Sequence, residues 1–175
     1  MADTNRVKEL ERHITSAMRR ERWLDAVKLL KDEVTMVEQE WRLSWNLGWC
    51  YFKLDRLDAA RRHLIRATTL APNNPTCKWA LGNVYLRRKQ FGKAETVLAE
   101  SLKIKESHLT RIALALAYLS QGKLTEAENV HLEGIRLRPQ NSACYESYAA
   151  FLSDIGREAD SQKMIRKAMK LQRLN

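Results

Sequence analysis

The stretch WRLSWNLGWCYF, residues 41–52, places Trp41, Trp45 and Trp49 four residues apart. That spacing returns a side chain to nearly the same face of an α-helix. The stretch therefore reads as one helix with two dissimilar faces. Leu47, Gly48 and Tyr51 lie on one, and Trp45, Trp49 and Phe52 on the other. Three of the chain's five tryptophans fall here, so their placement in a core or on a surface decides much of what the chain does.

Working outward, Leu47-Gly48-x-x-Tyr51 recurs 34 residues later as Leu81-Gly82-x-x-Tyr85. Ala60 pairs with Ala94, Leu64 with Leu98, and Leu70 with Ile104 in the same register. Leu114-Ala115-x-x-Tyr118 and Tyr148-Ala149-x-x-Leu152 continue the series, and His13-Ile14-x-x-Ala17 is a weaker copy before it. Apolar residues recur at helical spacing throughout, with no alternating strand pattern, so the chain reads as all-α. Self-similarity at this period marks a stack of helix pairs, because one pair cannot bury its apolar face alone.

The pattern resembles the tetratricopeptide repeat family, whose signature combines Leu-Gly or Leu-Ala, Tyr, Ala and a closing Pro. Residues 41–74 match it best through Leu47, Gly48, Tyr51, Ala60, Leu64, Ala67 and Pro72. The resemblance implies a right-handed superhelical solenoid of about five helix-turn-helix repeats filling one domain, 1–175. The repeats fall at 7–40, 41–74, 75–107, 108–141 and 142–175. Small residues at Gly48, Gly82, Ala115 and Ala149 are expected to let the first helix of each repeat approach the second. The turns are expected at Leu54-Asp55-Arg56, Arg88-Lys89-Gln90, Gln121-Gly122-Lys123 and Ile155-Gly156-Arg157, where glycine ends a helix readily.

In the family, the first helix of each repeat lines a concave groove. Transferring those positions residue by residue gives the expected partner-binding groove: Arg42, Trp45, Trp49, Phe52, Lys53, Trp79, Asn83, Leu86, Arg87, Ile112, Leu116 and Leu119. The first repeat adds Lys8, Glu11, Thr15, Met18 and Arg19, and the last adds Glu146 and Asp154. An apolar strip between basic and acidic ends suits an apolar or amphipathic protein segment held in one polarity. Trp23, at the start of a second helix, reads as a core residue, and Trp41 sits at an edge. The carboxylate clamp of the heat-shock-binding subgroup is not expected, because its Lys and Asn positions hold Glu11 and Thr15, or Trp45 and Trp49.

Composition narrows the function class. The net charge of +10 favours acidic partners without selecting one. Cys50, Cys77 and Cys144 are scattered, and the four histidines form no ligand pattern, so neither disulfides nor a metal site is expected. The chain carries no phosphate loop, nucleophile elbow or HExxH, so no catalytic residues and no cofactor are expected. The polar start MADTNRVKELERH and the absence of a long apolar run point to a cytoplasmic protein without membrane contact.

The expected function is a non-catalytic protein-protein interaction module or scaffold. Three alternatives stand beside it. IKESHLTRIALALAYLSQGKLTEAE, 104–128, is similar to the third repeat of secretion chaperones that hold apolar segments. Self-assembly would use the groove or the last helix, where Met169, Leu171 and Leu174 are expected to be partly exposed. Nucleic-acid association through outer basic faces at Arg61, Arg62 and Arg66, or Lys163, Arg166, Lys167, Lys170 and Arg173, is disfavoured because no aromatics interleave.

Overall fold

A computed structural model describes residues 4–173. The chain divides into two compact units, Met1–Ile104 and Lys105–Asn175. The first holds α1 (Thr4–Arg19), α2 (Trp23–Lys31), α3 (Val34–Gln39), α4 (Trp41–Lys53), α5 (Leu57–Leu70), α6 (Pro75–Arg87) and α7 (Phe91–Ile104). The second holds α8 (His108–Leu119), α9 (Leu124–Leu137), α10 (Ser142–Asp154) and α11 (Glu158–Gln172). No strand occurs among the described residues, so the all-α reading holds.

Helices pair in sequence order. In the first unit α1 packs on α2, α4 on α5 and α6 on α7; in the second α8 packs on α9 and α10 on α11. The expected small residues set this pairing. A Cβ built on Gly48 would lie 2.6 Å from Leu64 Cγ and 3.1 Å from the Leu64 backbone nitrogen. One built on Gly82 would meet Leu98 Cγ at 2.5 Å. Leu64 and Leu98 are fully buried, as are Ala60, Ala94 and Ala127 on the partner helices. Tyr51, Tyr85 and Tyr148 fill the remaining space. In the last pair Ser161 takes the alanine position and donates its hydroxyl to the Ala149 carbonyl at 2.8 Å, which satisfies it inside the core.

Each turn between paired helices needs one residue in the left-handed region. Gly122 and Gly156 supply it at φ 73° and 79°. Asp55 and Lys89 do the same job at φ 57° without glycine's freedom. The following amide then reaches back across the turn, as Gln90 N does to the Tyr85 carbonyl at 2.8 Å and Arg157 N to Leu152 at 2.8 Å. Those bonds close the last helical carbonyls. Between pairs, side chains open the next helix. Asn74 accepts from Thr76 N and Cys77 N ahead of Pro75, and Asn141 and Ser107 cap α10 and α8 in the same way.

Four expectations change. The second helix of the first repeat is not continuous: α2 stops at Lys31 and α3 begins at Val34, with Glu33 at φ −121° and ψ 43°. Val34, Thr35 and Val37 are β-branched and favour the helix weakly. Arg6 holds the Glu33 carboxylate at 2.5 Å, which anchors the break to α1. Trp23 is half-buried rather than a core residue, because it opens α2 at the surface with the Lys53 ammonium 5.4 Å above its ring. Leu171 is buried against Tyr145 and Ala168, and Ile165 is exposed, since the inward face of α11 is set by Ser161, Met164, Ala168 and Leu171. Leu119 is packed against the α9–α10 core formed by Ala127, Tyr148, Phe151 and Leu152. Met169 is exposed, and Leu174 lies outside the described residues.

Two stability outcomes follow. Gly48→Ala is expected to destabilise by about 1–2 kcal/mol in urea unfolding despite alanine's higher helix propensity, because the buried Leu64 cannot move aside. Lys89→Gly is expected to stabilise by about 0.5–1 kcal/mol with an unchanged denaturant slope, since it relieves the positive φ.

Candidate functional site

The tryptophans of α4 form a ladder along one side of the helix. Trp45 and Trp49 stack with ring centroids 5.8 Å apart and planes 7° from parallel. Trp49 also stacks on Phe52 at 5.0 Å. Across the helix pair, Trp79 of α6 meets Trp49 at 5.1 Å with its plane tilted 33°. Trp49 is thus the centre of a four-ring cluster drawn from α4 and α6. All four rings are half-buried: they stack or tilt against one another but keep part of each surface open. Such aromatic contacts contribute about 0.5–1.5 kcal/mol each beyond burial, so the cluster holds its shape without a partner.

The charged groove candidates divide. Arg87 lies over the Phe52 ring at 5.6 Å and pairs with Asp55 at 2.6 Å, so it borders the ladder. Arg42 lies over Trp41 at 5.0 Å and stands 3.9 Å from the Glu11 carboxylate. Lys53 turns instead towards Trp23. Asn83 donates its amide to the Trp79 carbonyl at 2.9 Å, and Leu86 is half-buried. At the N-terminal end of the ladder, a cleft of about 320 Å3 is lined by Glu11, Thr15, Trp41, Arg42, Trp45, Asn46 and Thr76. The Trp45 indole nitrogen and one Glu11 carboxylate oxygen are buried without a hydrogen-bond partner. Trp41, at the edge by sequence, joins this cleft. Asn46 and Thr76 join it too.

Ile112 and Leu116 belong to the second unit, where both are exposed on α8 together with Leu109. In the same unit, Glu146 accepts from Gln172 at 2.7 Å and Asp154 is exposed.

Chemistry beyond binding finds little footing. Cys144 Sγ and His108 Nδ1 lie 3.8 Å apart, the arrangement of a nucleophile and base. Burial pushes the thiol pKa up, with Arg138 and Arg111 opposing, and pushes the imidazole pKa down, with Arg138 adding to it and Glu146 and Glu106 opposing. A thiolate–imidazolium pair needs the opposite shifts. Cys50 and Cys77 are fully buried, with thiols raised to about 12 and about 11, so all three cysteines behave as small core residues. Among the described residues no group of three or more His, Cys, Asp or Glu is placed to hold a metal, and no helix is long and apolar enough to cross a membrane.

His131 is a titratable group that no sequence motif marks. It is buried in the second unit, stacked on Tyr148 at 5.8 Å and beside Phe151 at 5.2 Å. Burial, and to a lesser degree His108, pushes its pKa from 6.5 down to about 4.

The tetratricopeptide repeat profile matches residues 12–75 and 51–108, and a second profile of the same description matches 110–143. The chain belongs to the tetratricopeptide repeat family, whose members are non-catalytic protein-interaction scaffolds. Over 98 residues, 55% of the chain, it is 35% identical to anaphase-promoting complex subunit cut9 of Schizosaccharomyces pombe. The chain spans only 15% of that relative's length. Among solved structures, MamA 41-end from Desulfovibrio magneticus RS-1 is similar with a TM-score of 0.78 and 18% identity over 96% of both chains. MamA MSR-1 is similar with a TM-score of 0.72 and 21% identity over 98% of both. At these identities the likeness carries the fold, an all-α repeat solenoid, and nothing finer.

The His131 shift has a definite sign. Its folded pKa lies below the unfolded value, so the unfolded chain binds the proton more readily. The stability it contributes is full above pH 6.5 and is lost as pH falls towards 4. The loss amounts to about 3 kcal/mol at the acid end. Urea unfolding of wild type and His131→Phe between pH 7 and pH 4 is expected to show a shallower pH dependence in the variant.

Proposed function

We propose that this chain is a non-catalytic interaction module that takes an apolar or amphipathic protein segment against the ladder of Trp45, Trp49, Phe52 and Trp79. The observation that carries the reading is the half-open aromatic cluster itself. Four large rings from two helices are half-buried and so remain partly in water. A contiguous, partly open apolar surface of this kind is a candidate binding site, and tryptophan dominates the energetics of such sites. Arg42 and Arg87 border the ladder and would favour acidic groups at the flanks of the bound segment. Asn83, Leu86 and Lys53 extend the surface at lower weight, because each already has an intramolecular contact or partial burial. The exposed face of Leu109, Ile112 and Leu116 on α8 is a second apolar surface of the same general character. The likeness to cut9, by its name a subunit of a multi-protein complex, supports a role in assembly rather than chemistry.

The test uses peptides selected from a random library against the full chain. Wild type is expected to bind amphipathic sequences with a blue shift and altered intensity of tryptophan emission. The double variant Trp45→Ala with Trp79→Ala is expected to lose roughly tenfold to hundredfold in affinity, while circular dichroism confirms retained helix content. Arg166→Glu with Lys170→Glu is expected to bind as wild type does. Unchanged affinity in the tryptophan variant would sink the ladder as the site. Concentration-dependent dimerisation by light scattering that disappears in the same variant would instead assign the surface to a second copy.

A further inference from the structure

The break between α2 and α3 opens a pocket with no counterpart in the repeat motif. The next second helix, α5, runs 14 residues without interruption, whereas α2 ends after 9. The chain then restarts as the short α3, and its C-terminal carbonyls are claimed from outside. Ser44 donates its hydroxyl to Val37 O, and Arg66 donates Nε to Glu38 O at 2.9 Å. These bonds pin α3 in its displaced position. The space left beside it, about 470 Å3, has an apolar floor of Leu30, Val34, Leu47 and Tyr51. Its rim carries Lys31 from the end of α2 and Arg62, His63 and Arg66 from α5, with the carboxylate of Glu38 from α3 among them, so cations outnumber the acid.

Two features show that this pocket is unfilled in its chemistry. Val34 is 59% exposed although it borders buried Leu30 and Val37, so an apolar side chain placed there would cover it. Arg66 has Glu38 at 3.8 Å, but among the described residues Lys31 and Arg62 have no acidic partner. Uncompensated cations around a hydrophobic floor complement an anion carried next to an apolar group. The aromatic ring on the floor is not open for base stacking, because His63 covers Tyr51 at 5.6 Å, which disfavours a nucleic acid.

We propose that the pocket at the α2–α3 break docks a protein segment in which an aliphatic side chain is flanked by acidic residues. The aliphatic group fills the space over Leu30, Val34 and Leu47, and the carboxylates meet Lys31 and Arg62. The pocket is independent of the tryptophan ladder. Leu47 and Tyr51 stand on the opposite side of α4 from Trp45, Trp49 and Phe52, as 3.6 residues per turn requires. Two partner segments, or two parts of one, can therefore be held at once.

His63 provides the reporter. Burial first, then Arg62 and Arg66, hold its pKa below 6.5, with Glu38 opposing. Lys31, at the end of α2, adds a further positive charge at the rim. A carboxylate arriving among these cations must move that pKa up. The experiment titrates the full chain with acetyl-Glu-Leu-Glu-amide while following the His63 ring signals by NMR. The expected result is a saturable shift of His63 and a rise in its pKa, with roughly tenfold weaker binding for acetyl-Gln-Leu-Gln-amide and acetyl-Glu-Ser-Glu-amide. Arg62→Glu is expected to weaken binding by a similar factor with an unchanged melting temperature. Trp45→Ala with Trp79→Ala is expected to bind this peptide as wild type does, which separates the pocket from the ladder. Equal binding of the neutral or serine peptide overturns the proposal. So does displacement by a short oligonucleotide, or a dimer by sedimentation that Arg62→Glu dissociates.

Discussion

The contact between glycine in a first helix and leucine in its partner governs the rest of the molecule. Gly48 against Leu64 and Gly82 against Leu98 bring two helix backbones closer than any larger side chain would permit. The leucines are fully buried as a result, and the tyrosines at positions 51 and 85 close the wedge. Every other feature of α4 and α6 is a consequence of that orientation. With Leu47, Gly48 and Tyr51 committed inward, helix periodicity turns Trp45, Trp49 and Phe52 away from the core.

The aromatic ladder is therefore neither core nor simple surface. The rings take their rigidity from one another, through three close ring contacts centred on Trp49. Rigid aromatics lose little conformational freedom when a partner arrives, which is why such groups dominate recognition. The same helix borders a second surface on its other side, where buried Leu47 and Tyr51 form the floor of the pocket at the Asp32–Glu33 break. One helix thus serves two sites because its inward positions are few and tightly used.

Much of this was legible from the residues alone. The period of 34, the small residues at the helix crossings and the turn positions could all be read because each depends on local spacing. The turns show the limit of that reading. Gly122 and Gly156 announce a positive φ, and Asp55 tolerates it through its short polar side chain, whereas Lys89 adopts it with no compositional signal. Both do so because the packing of flanking helices leaves no other path. Trp23 was misplaced for a similar reason. It opens α2, and the residues that open the later second helices are not buried either: Leu57 and Phe91 are half-buried and Leu124 and Glu158 exposed, so the position faces Lys53 and solvent rather than the core. Leu119 went the other way, drawn into the α9–α10 core by Phe151 and Leu152. Asn83 was read as a groove residue, and its bond to its own helix could not be seen without coordinates.

The residues by themselves determined the helical class, the repeat and which side of α4 carries the tryptophans, because helical periodicity and side-chain size act over a few neighbours. The tertiary structure decided which of those rings touch, where α2 gives way to α3, and which cations are left without an acid. Those outcomes depend on side chains distant in sequence: Trp79 on Trp49, Arg6 on Glu33, and Arg66 on Glu38. No local pattern encodes them, since they arise only when separate helices compete for the same space.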